Sequence, residues 1–383
     1  MNILAFSSYY LPGFKGGGPI KTIKNLSENT CGELTLNLIT SDRDLGDIEP
    51  YKSVCFRSWN LVGGVSVFYI GSGFRGYWKI LQVLRRKRYD LIYLNSFFSI
   101  RFSIFPLLVA KALGQRIVLG PRGEFSEGAL DLKKTKKGAF ISVYKLCQLH
   151  RNVVFQASSN FEAEDIRRVL GQKVDVKIAE DIGSRVFSGE ANVRSSGPLK
   201  AVFVSRISPK KNLLAALRIL YFVRQPMCYH IYGPIEDREY WRQCNQIIAS
   251  LPAHVQVKYQ GTLTPDQVVE SLSGYDVFFF PTKGENYGHV IAEALCAGLP
   301  ILIADTTPWK NLQQKGIGWD LPLKNPTAFS SVLDQLAIAP IDEHLRMRRA
   351  VLRWTKEKFS QRDVIDANIE MFRYAYKKSR VDQ

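Results

Sequence analysis

Short apolar runs alternate with longer amphipathic stretches along most of the chain. The short runs are rich in Val, Ile, Leu and Phe, which is typical of strands buried on both faces, whereas the longer stretches have helical length. Strands are predicted at residues 2–7, 34–40, 65–69, 91–95, 116–119, 153–156, 201–205, 229–232, 255–259, 277–280 and 301–304. This alternation predicts an α/β protein with doubly wound, largely parallel sheets.

A polar, glycine-containing stretch at 184–198 divides these strands into two series. Two series with one break predict two Rossmann-like domains, at residues 1–185 and 186–355. The region 356–383 differs, because its apolar residues Ile365, Ile369, Phe372 and Tyr376 recur at helical spacing. Such a helix must bury its apolar face on folded protein, so it is predicted to pack onto one of the domains.

The segment 281–295 is the richest in candidate chemistry. A strand of three Phe residues ends at Pro281, and an Ala- and Leu-rich helix begins near Gly288. Ligands of open α/β sheets bind beyond the carboxyl ends of strands, and free amides at a helix start bind phosphate. Glu285 before the helix and Glu293 inside it supply acceptors for hydroxyl groups, which suits a nucleotide sugar. The alternative is a first-turn acid that stabilises the helix dipole beside an ordinary surface glutamate.

Two other segments add to this chemistry. Arg206 and Lys211 follow the first strand of the second series, and two cations there suit a diphosphate. Gly16–Gly18 follow the first strand of the chain, where glycines let the backbone approach a ligand closely. Their spacing differs from G-x-G-x-x-G, so they predict a flexible phosphate-side or acceptor-side loop and disfavour a dinucleotide fingerprint.

These segments, together with Pro121-Arg122-Gly123, make the chain resemble the family 4 glycosyltransferases, which are retaining enzymes of the GT-B fold. The resemblance covers nearly the whole chain. Its most specific part is Glu285, seven residues, Glu293, followed by Ala-Leu-x-x-Gly-x-Pro at 294–300. Residues 307–309 and 316–319 resemble the bacterial polysaccharide-building branch. The resemblance implies two Rossmann-like domains facing across a cleft, with the C-terminal helix crossing back to the N-terminal domain.

The resemblance also implies roles for individual residues. Arg206 and Lys211 would neutralise the donor diphosphate, Glu293 would hold the ribose hydroxyls, and Glu285 would contact the transferred sugar near its reacting face. The remaining donor contacts would come from Asn286, Tyr287 and Gly288, whose amides face the phosphates and sugar, and from Gly17 and Gly18, whose loop closes over the diphosphate.

Two positions depart from the family pattern. Asn95 stands at the end of a strand where many relatives have a histidine, and Asn has no titratable proton with which to act as a base. In a retaining front-face transfer the leaving phosphate can itself take the acceptor's proton, so the loss of the histidine is compatible with activity. Asn95 is kept as a candidate catalytic position, and the base is unassigned. Asn286 and Tyr287 replace the Gly and Phe of many relatives, which bears on sugar choice.

Metal-binding patterns are weak. Asp42-Arg43-Asp44 matches the D-x-D motif of metal-dependent glycosyltransferases of another fold, but it lies in an acid-rich turn. The five histidines have no ligand spacing, and the six cysteines include no C-x-x-C pair. We therefore expect no metal and no required cofactor. His289, the only histidine inside a motif, is interpreted as a packing residue at the helix start.

The formal net charge of +17 predicts an anionic partner. Residues 1–185 hold 27 Lys and Arg against 16 Asp and Glu, with clusters at 85–88 and at Lys133, Lys134, Lys136 and Lys137. Basic residues mixed with Trp, Phe and Leu indicate peripheral contact with an anionic membrane, and a solvated basic face is the alternative. No nucleic-acid-binding module is legible. With no secretory signal and no long apolar run, a cytoplasmic protein, at most peripheral on the inner face of the plasma membrane, is expected.

The leading hypothesis is therefore a retaining transfer of a sugar from a nucleotide diphosphate to a sugar acceptor. The resemblance favours a UDP-sugar over a GDP-sugar and a lipid-linked oligosaccharide of surface polysaccharide synthesis (O-antigen, capsule or exopolysaccharide) as the acceptor. Two alternatives stay open: a nucleotide-sugar epimerase of the same fold, and a non-catalytic membrane- or polyanion-binding relative.

Overall fold

The computed structural model describes residues 1–56, 58–86, 89–131, 134–189 and 197–378. The chain forms two compact units. Unit 1 comprises Met1–Ile182 together with residues 362–378, and unit 2 comprises Gly183–Gln361. Part of the predicted break at 184–198, residues 190–196, lies outside the described residues.

Unit 1 is built on a mostly parallel sheet. Its strands are β1 (Asn2–Phe6), β2 (Thr35–Ser41), β3 (Trp59–Val62), β4 (Val65–Ile70), β5 (Leu91–Leu94), β6 (Ile117–Leu119), β7 (Val153–Ala157) and β8 (Asp175–Ile178). They lie in the order β3-β4-β2-β1-β5-β6-β7-β8, and only the β3–β4 pairing is antiparallel in the described ranges. The order reverses between β1 and β5, so a switch point lies between the ends of these two strands.

Helices cover both faces of this sheet. They are α1 (Gly18–Asn29), α2 (Phe74–Arg86), α3 (Phe105–Ala112), α4 (Glu127–Asp131), α5 (Lys134–Leu146) and α6 (Asn160–Leu170), with a π-helical turn at Ile100–Ile104 before α3. Along β1, Ile3 and Ala5 join the apolar cluster on one face, and Leu4 and Phe6 join the cluster on the other. This alternation is the period of a strand, and it explains why residues 3–6 are all apolar.

Unit 2 holds a parallel sheet in Rossmann order. Its strands are β9 (Leu199–Val204), β10 (Met227–Tyr232), β11 (Val255–Tyr259), β12 (Val277–Phe280), β13 (Ile301–Ala304) and β14 (Gly318–Leu321). Its helices are α7 (Leu213–Leu220), α8 (Arg238–Ile248), α9 (Val268–Ser273), α10 (His289–Cys296), α11 (Pro326–Ile338) and α12 (Ile341–Ser360). The strand order β11-β10-β9-β12-β13-β14 reverses between β9 and β12. Its switch point therefore lies between the loops that follow these two strands.

The last helix, α13 (Asp363–Lys377), belongs to unit 1. Ile365, Ile369 and Phe372 are buried in the same apolar cluster as α1, as the spacing predicts. The prediction for Tyr376 is wrong. Its ring is 41% exposed with the Arg116 guanidinium 4.6 Å from the ring centroid, because Ala375 takes the buried position on the last turn. No helix in the described ranges is both long and apolar enough to cross a lipid bilayer.

All strands predicted from the sequence are present, with ends shifted by no more than about two residues. Three further strands, β3, β8 and β14, were not predicted. Each carries polar residues or glycine among its apolar ones, and residues of β3 and β8 are partly exposed.

Candidate functional site

The switch point of unit 2 brings together two loops that the sequence singled out. The loop after β9 carries Arg206 and Lys211, and the loop after β12 carries Glu285. Because β9 and β12 are paired neighbours, their carboxyl ends lie side by side. This is the position at which open α/β sheets bind ligands.

Hydrogen bonds hold these two loops against each other. Asn212, which precedes α7 in the left-handed region at φ 61°, donates from its side-chain amide to the carbonyl of Pro281 at 2.9 Å. The backbone N–H of Lys283 donates to the carbonyl of Lys210 at 3.1 Å. Asn is among the few residues that adopt the left-handed region readily, so its place here is local backbone chemistry.

Lys211 and Glu285 form an ion pair between the loops. The Lys211 ammonium donates to both carboxylate oxygens of Glu285, at 2.7 and 2.8 Å. The two side chains are only 14% and 10% exposed, so solvent screens the pair weakly. Thus the residue assigned to the diphosphate and the residue assigned to the sugar contact each other.

Arg206 has a different partner. Its guanidinium pairs with Glu236, in the loop after β10, at 3.0 Å, and both side chains are more than a third exposed. Gly233 lets that loop approach the end of β9, since its φ is +136° and an added Cβ would lie 1.9 Å from the carbonyl oxygen of Ser205. Arg206 is therefore a solvent-accessible cation held loosely beside the switch point.

The segment before α10 is fixed by packing. Tyr287 is buried, and its carbonyl accepts a 2.6 Å hydrogen bond from the indole N–H of Trp309. Gly288 caps the helix with φ 83°, a conformation that favours glycine. His289 is buried with its ring against that of Tyr287, the centroids being 4.8 Å apart. Asn286 lies in the same segment, between the loop acid Glu285 and Tyr287.

Glu293 lies in the second turn of α10 and is buried. Burial raises the pKa of the nearby Cys296 thiol, and the Glu293 carboxylate adds to that rise. A buried carboxylate near the start of a helix that follows the switch point is a suitable acceptor for ligand hydroxyls.

The switch point of unit 1 holds the other predicted residues. Gly17 precedes α1 with φ 72°, and Gly18 is the first residue of that helix. The preceding loop is anchored by the Asp44 carboxylate, which accepts the backbone N–H groups of Phe14 and Lys15 at 2.8 and 3.0 Å. The loop after β1 is thus held firmly just before its glycines.

Asn95 follows β5 and is buried beneath the start of α1. Its side-chain oxygen accepts from Nε of Arg122 at 2.5 Å, and its amide N–H₂ donates to the carbonyl of Pro19 at 3.3 Å. The amide is therefore oriented with its oxygen toward Arg122 and its donor toward the first turn of α1, an arrangement suited to donation and unsuited to a base.

Arg122 is a buried residue at the centre of a polar network. Besides Asn95, its guanidinium contacts Asp181 at 2.6 Å, Gln156 at 3.0 Å and the Tyr93 hydroxyl. Burial lowers the pKa of Arg122, but the negative charge of Asp181 and further acidic neighbours outweigh it, so the net pKa is raised. The Asp181 carboxylate also accepts from Thr22 of α1 at 3.0 Å.

The acids of the D-x-D motif have structural partners. The Asp42 carboxylate pairs with Arg43 at 2.8 Å, and Asp44 anchors the loop described above. In the described ranges no three or more His, Cys, Asp or Glu side chains cluster in a way that would hold a metal ion.

Two contributors to these sites did not stand out in the sequence. Arg122 belongs to a tripeptide that carries the resemblance, and Thr282 lies in the segment 281–295 without a predicted role. The hydroxyl of Thr282 lies 3.1 Å from Glu285 although the residue is fully buried. A polar residue two positions after a wholly apolar strand is the signal that could identify it.

Sequence comparison bears on unit 2. Residues 188–351 match the family described as Glycosyl transferases group 1. The sulfoquinovosyl transferase SQD2 of Arabidopsis thaliana is 28% identical over 131 residues, which make up 33% of this chain and 24% of SQD2. The match therefore spans about a quarter of that relative's length.

Structural comparison bears on the whole fold. Anabaena HepE, solved in complex with UDP-glucose, superposes with a TM-score of 0.70 at 15% identity, covering 97% of this chain and 98% of HepE. WaaG, a glycosyltransferase involved in lipopolysaccharide biosynthesis, gives 0.63 at 10% identity, covering 99% and 100% of the two chains. The predicted α/β GT-B fold is confirmed. The chain therefore has the GT-B fold, and residues 188–351 are similar to the Glycosyl transferases group 1 family.

Proposed function

We propose that the protein is a retaining glycosyltransferase that moves a sugar from a UDP-sugar to a glycan acceptor in bacterial surface polysaccharide synthesis. The observation that carries this proposal is the Lys211–Glu285 pair at the switch point of the group 1 domain. It places a cation suited to a diphosphate beside an acceptor suited to sugar hydroxyls. The UDP-glucose bound to HepE supports the choice of uridine donors.

In the proposed reaction the bond between the sugar's anomeric carbon and the diphosphate oxygen breaks. A bond from that carbon to the acceptor's oxygen forms on the same face, and the acceptor's proton passes to the departing phosphate, which leaves as UDP. Lys211 and Arg206 stabilise the negative charge that develops on the diphosphate. Glu285 accepts hydrogen bonds from the sugar, and Glu293 accepts them from the ribose. Gly17 and Gly18 keep the role that the resemblance implies, and Asn95 stays a candidate catalytic position with no base assigned.

The donor assay tests this proposal directly. The protein is incubated with UDP- and GDP-sugars, nucleotide release is measured, and the anomeric configuration of the product is determined by NMR. We expect slow release of UDP from one donor without acceptor and a retained configuration with it. Glu285→Gln should lower kcat strongly and leave a measurable residual rate, whereas Glu357→Gln, the same change at an exposed site on α12, should leave kcat unchanged.

Each other outcome of that assay contradicts the proposal in its own way. An inverted product would overturn the retaining mechanism, epimerisation of the nucleotide sugar would favour the epimerase alternative, and no turnover would favour a non-catalytic binding protein. Activity that is lost on chelation and restored by manganese would return attention to Asp42 and Asp44. We expect activity to survive chelation, because Arg206 and Lys211 supply the positive charge.

We further propose a lipid-linked acceptor reached at the cytoplasmic face of an anionic membrane. WaaG's role in lipopolysaccharide biosynthesis supports such an acceptor. Helix α5 exposes Lys134 and Lys136 together with Val143 and Leu146, which is the composition of a membrane-surface helix. Lys137 is less available, because its ammonium donates to the carbonyl of Ala129 at 2.5 Å.

Vesicle sedimentation tests the membrane contact. Lys133 and the 87–88 part of the other basic cluster lie outside the described residues, so the variant changes Lys134 and Lys136 to Glu. Each basic residue near an anionic surface contributes about 1 kcal/mol, so replacing both should weaken binding by about 30-fold or more while donor hydrolysis is unchanged. Unchanged binding would reject α5, and binding that resists high salt would indicate apolar insertion instead.

A further inference from the structure

Thr282 lies at the centre of the loop that carries Glu285. It follows Pro281 after the end of β12 and is fully buried. Its hydroxyl oxygen accepts the backbone N–H of Gly284 at 3.3 Å and lies 3.1 Å from Oε1 of Glu285. A hydroxyl has one proton to donate, and the Glu285 carboxylate is its nearest acceptor in the described ranges, ahead of the Lys210 carbonyl at 3.3 Å.

The position of the Thr282 backbone is fixed on two sides. Its carbonyl accepts a 2.8 Å hydrogen bond from the hydroxyl of Thr306, which follows β13. Its own N–H donates to the carbonyl of Phe280 at 2.9 Å. The hydroxyl therefore points at Glu285 from a rigid part of the sheet edge.

Among the described residues, two side chains of different kinds therefore contact the Glu285 carboxylate. Lys211 holds it by charge from a partly exposed ammonium, which an anionic diphosphate competes for. Thr282 holds it by a neutral, buried hydroxyl that is closed to a ligand. If a diphosphate drew on Lys211, the contact with the Thr282 hydroxyl would remain to hold the Glu285 carboxylate.

We propose that Thr282 is a positioning residue that keeps Glu285 oriented toward the sugar while the donor diphosphate engages Lys211. This inference rests on the proposed function, because it assigns Thr282 to the same donor site. It predicts that the hydroxyl matters for turnover more than for donor binding, since binding draws mainly on Lys211, Arg206 and Glu293.

Thr282→Val tests this role, because it removes the hydroxyl and keeps the shape. We expect kcat to fall on the order of 10-fold, with the KM for the UDP-sugar within about twofold of wild type. Thr282→Ser should restore kcat. The matched control is Thr355→Val in α12, also fully buried, whose hydroxyl donates to the Val351 carbonyl at 2.7 Å; it should leave kcat and KM unchanged.

A double-variant cycle separates positioning from general support of the fold. If Thr282 acts through Glu285, adding Thr282→Val to Glu285→Gln should lower the residual kcat no further. An unchanged kcat in Thr282→Val alone, or the same 10-fold loss in the Glu285→Gln background, would overturn the proposal.

A spectroscopic readout remains informative if no donor is turned over. With ¹³C-carboxyl-labelled glutamate, the Glu285 signal is identified by its absence in Glu285→Gln. We expect Thr282→Val to shift that signal and Thr355→Val to leave it in place. An unmoved signal overturns the positioning role. A moved signal in an enzyme without turnover on any nucleotide sugar overturns the proposed function and leaves the contact standing.

Discussion

Two ion pairs, one in each unit, have similar chemistry and differ in their degree of burial and in how many of their donors are used. Arg122–Asp181 in unit 1 is buried, and every nitrogen of its guanidinium donates to a protein acceptor. Lys211–Glu285 in unit 2 is partly exposed, and in the described part of the chain Glu285 takes two of the three ammonium donors. A saturated buried pair organises the fold, whereas an accessible pair with donor capacity left over can exchange partners with a ligand.

Stability measurements should give the largest contrast. Arg122→Met leaves Asp181 as an unpaired buried charge, so we expect unit 1 to lose about 3 to 5 kcal/mol of unfolding free energy. Lys211→Met should cost unit 2 about 1 to 2 kcal/mol, between the values for surface and buried pairs. Hydrogen exchange of peptides from β5 to β7 and from β9 to β12 measures each unit separately. Equal losses of unfolding free energy in the two units would contradict the distinction between a pair that organises the fold and a pair that can exchange partners with a ligand.

Turnover should depend strongly on Lys211, although its loss costs unit 2 little stability. Lys211→Ala removes a charge that we propose faces the departing diphosphate, so we expect kcat to fall about 100-fold. Lys356→Ala, at an exposed position on α12, should leave kcat unchanged. Steady-state rates of UDP release measure both variants. If Lys211→Ala kept the wild-type kcat, the Lys211–Glu285 pair would have a structural role only, like Arg122–Asp181.

Donor binding should show a smaller effect at Glu293. Glu293→Ala removes a carboxylate that we propose accepts hydrogen bonds from the ribose. Because a hydrogen bond to a charged group is lost, we expect the Kd for UDP to rise roughly 10-fold. Titration calorimetry measures it, with kcat at saturating donor expected to stay near wild type. A Kd unchanged by this variant would remove Glu293 from the donor site.

The smallest expected effect is a pH dependence in unit 1. Burial raises the pKa of Glu124, whose carboxylate accepts from Ser96 and from the backbone N–H groups of Phe97 and Phe98. Because the folded pKa lies above the unfolded one, its contribution to stability is complete below about pH 4 and is lost as pH rises through the folded pKa. The destabilisation by Glu124→Gln should therefore shrink from pH 4 to pH 7 in urea unfolding, and a growing cost would contradict this sign.

Strands with an unbroken apolar run were predictable, since burial on both faces dictates their composition. The sequence of β8 is Asp-Val-Lys-Ile and that of β14 is Gly-Trp-Asp-Leu. Neither has a run of apolar residues long enough to distinguish a strand from a loop. These edge strands form because a neighbour already offers a row of free backbone groups.

Candidate residues were predictable in kind, because Lys211 and Glu285 each follow a strand end. Their pairing was not, since two residues 74 positions apart meet only once β9 and β12 are neighbours. The same holds for Asn95, whose sequence position shows its chemistry and not the orientation that Arg122 imposes on it.

Helix α13 has a consequence for the order in which the protein matures. It completes the apolar cluster of unit 1, yet it is translated after the whole of Gly183–Gln361. At ordinary translation rates, on the order of ten seconds or more pass between the synthesis of Ile20 and Ile23 in α1 and that of Ile369 and Phe372, which pack against them in one cluster. Unit 2 therefore has the opportunity to fold on the ribosome while unit 1 still presents an uncovered apolar face. A fragment ending at residue 182 would keep that apolar face uncovered and should aggregate. The two segments that form unit 1 are thus synthesised at separate times, with all of unit 2 between them.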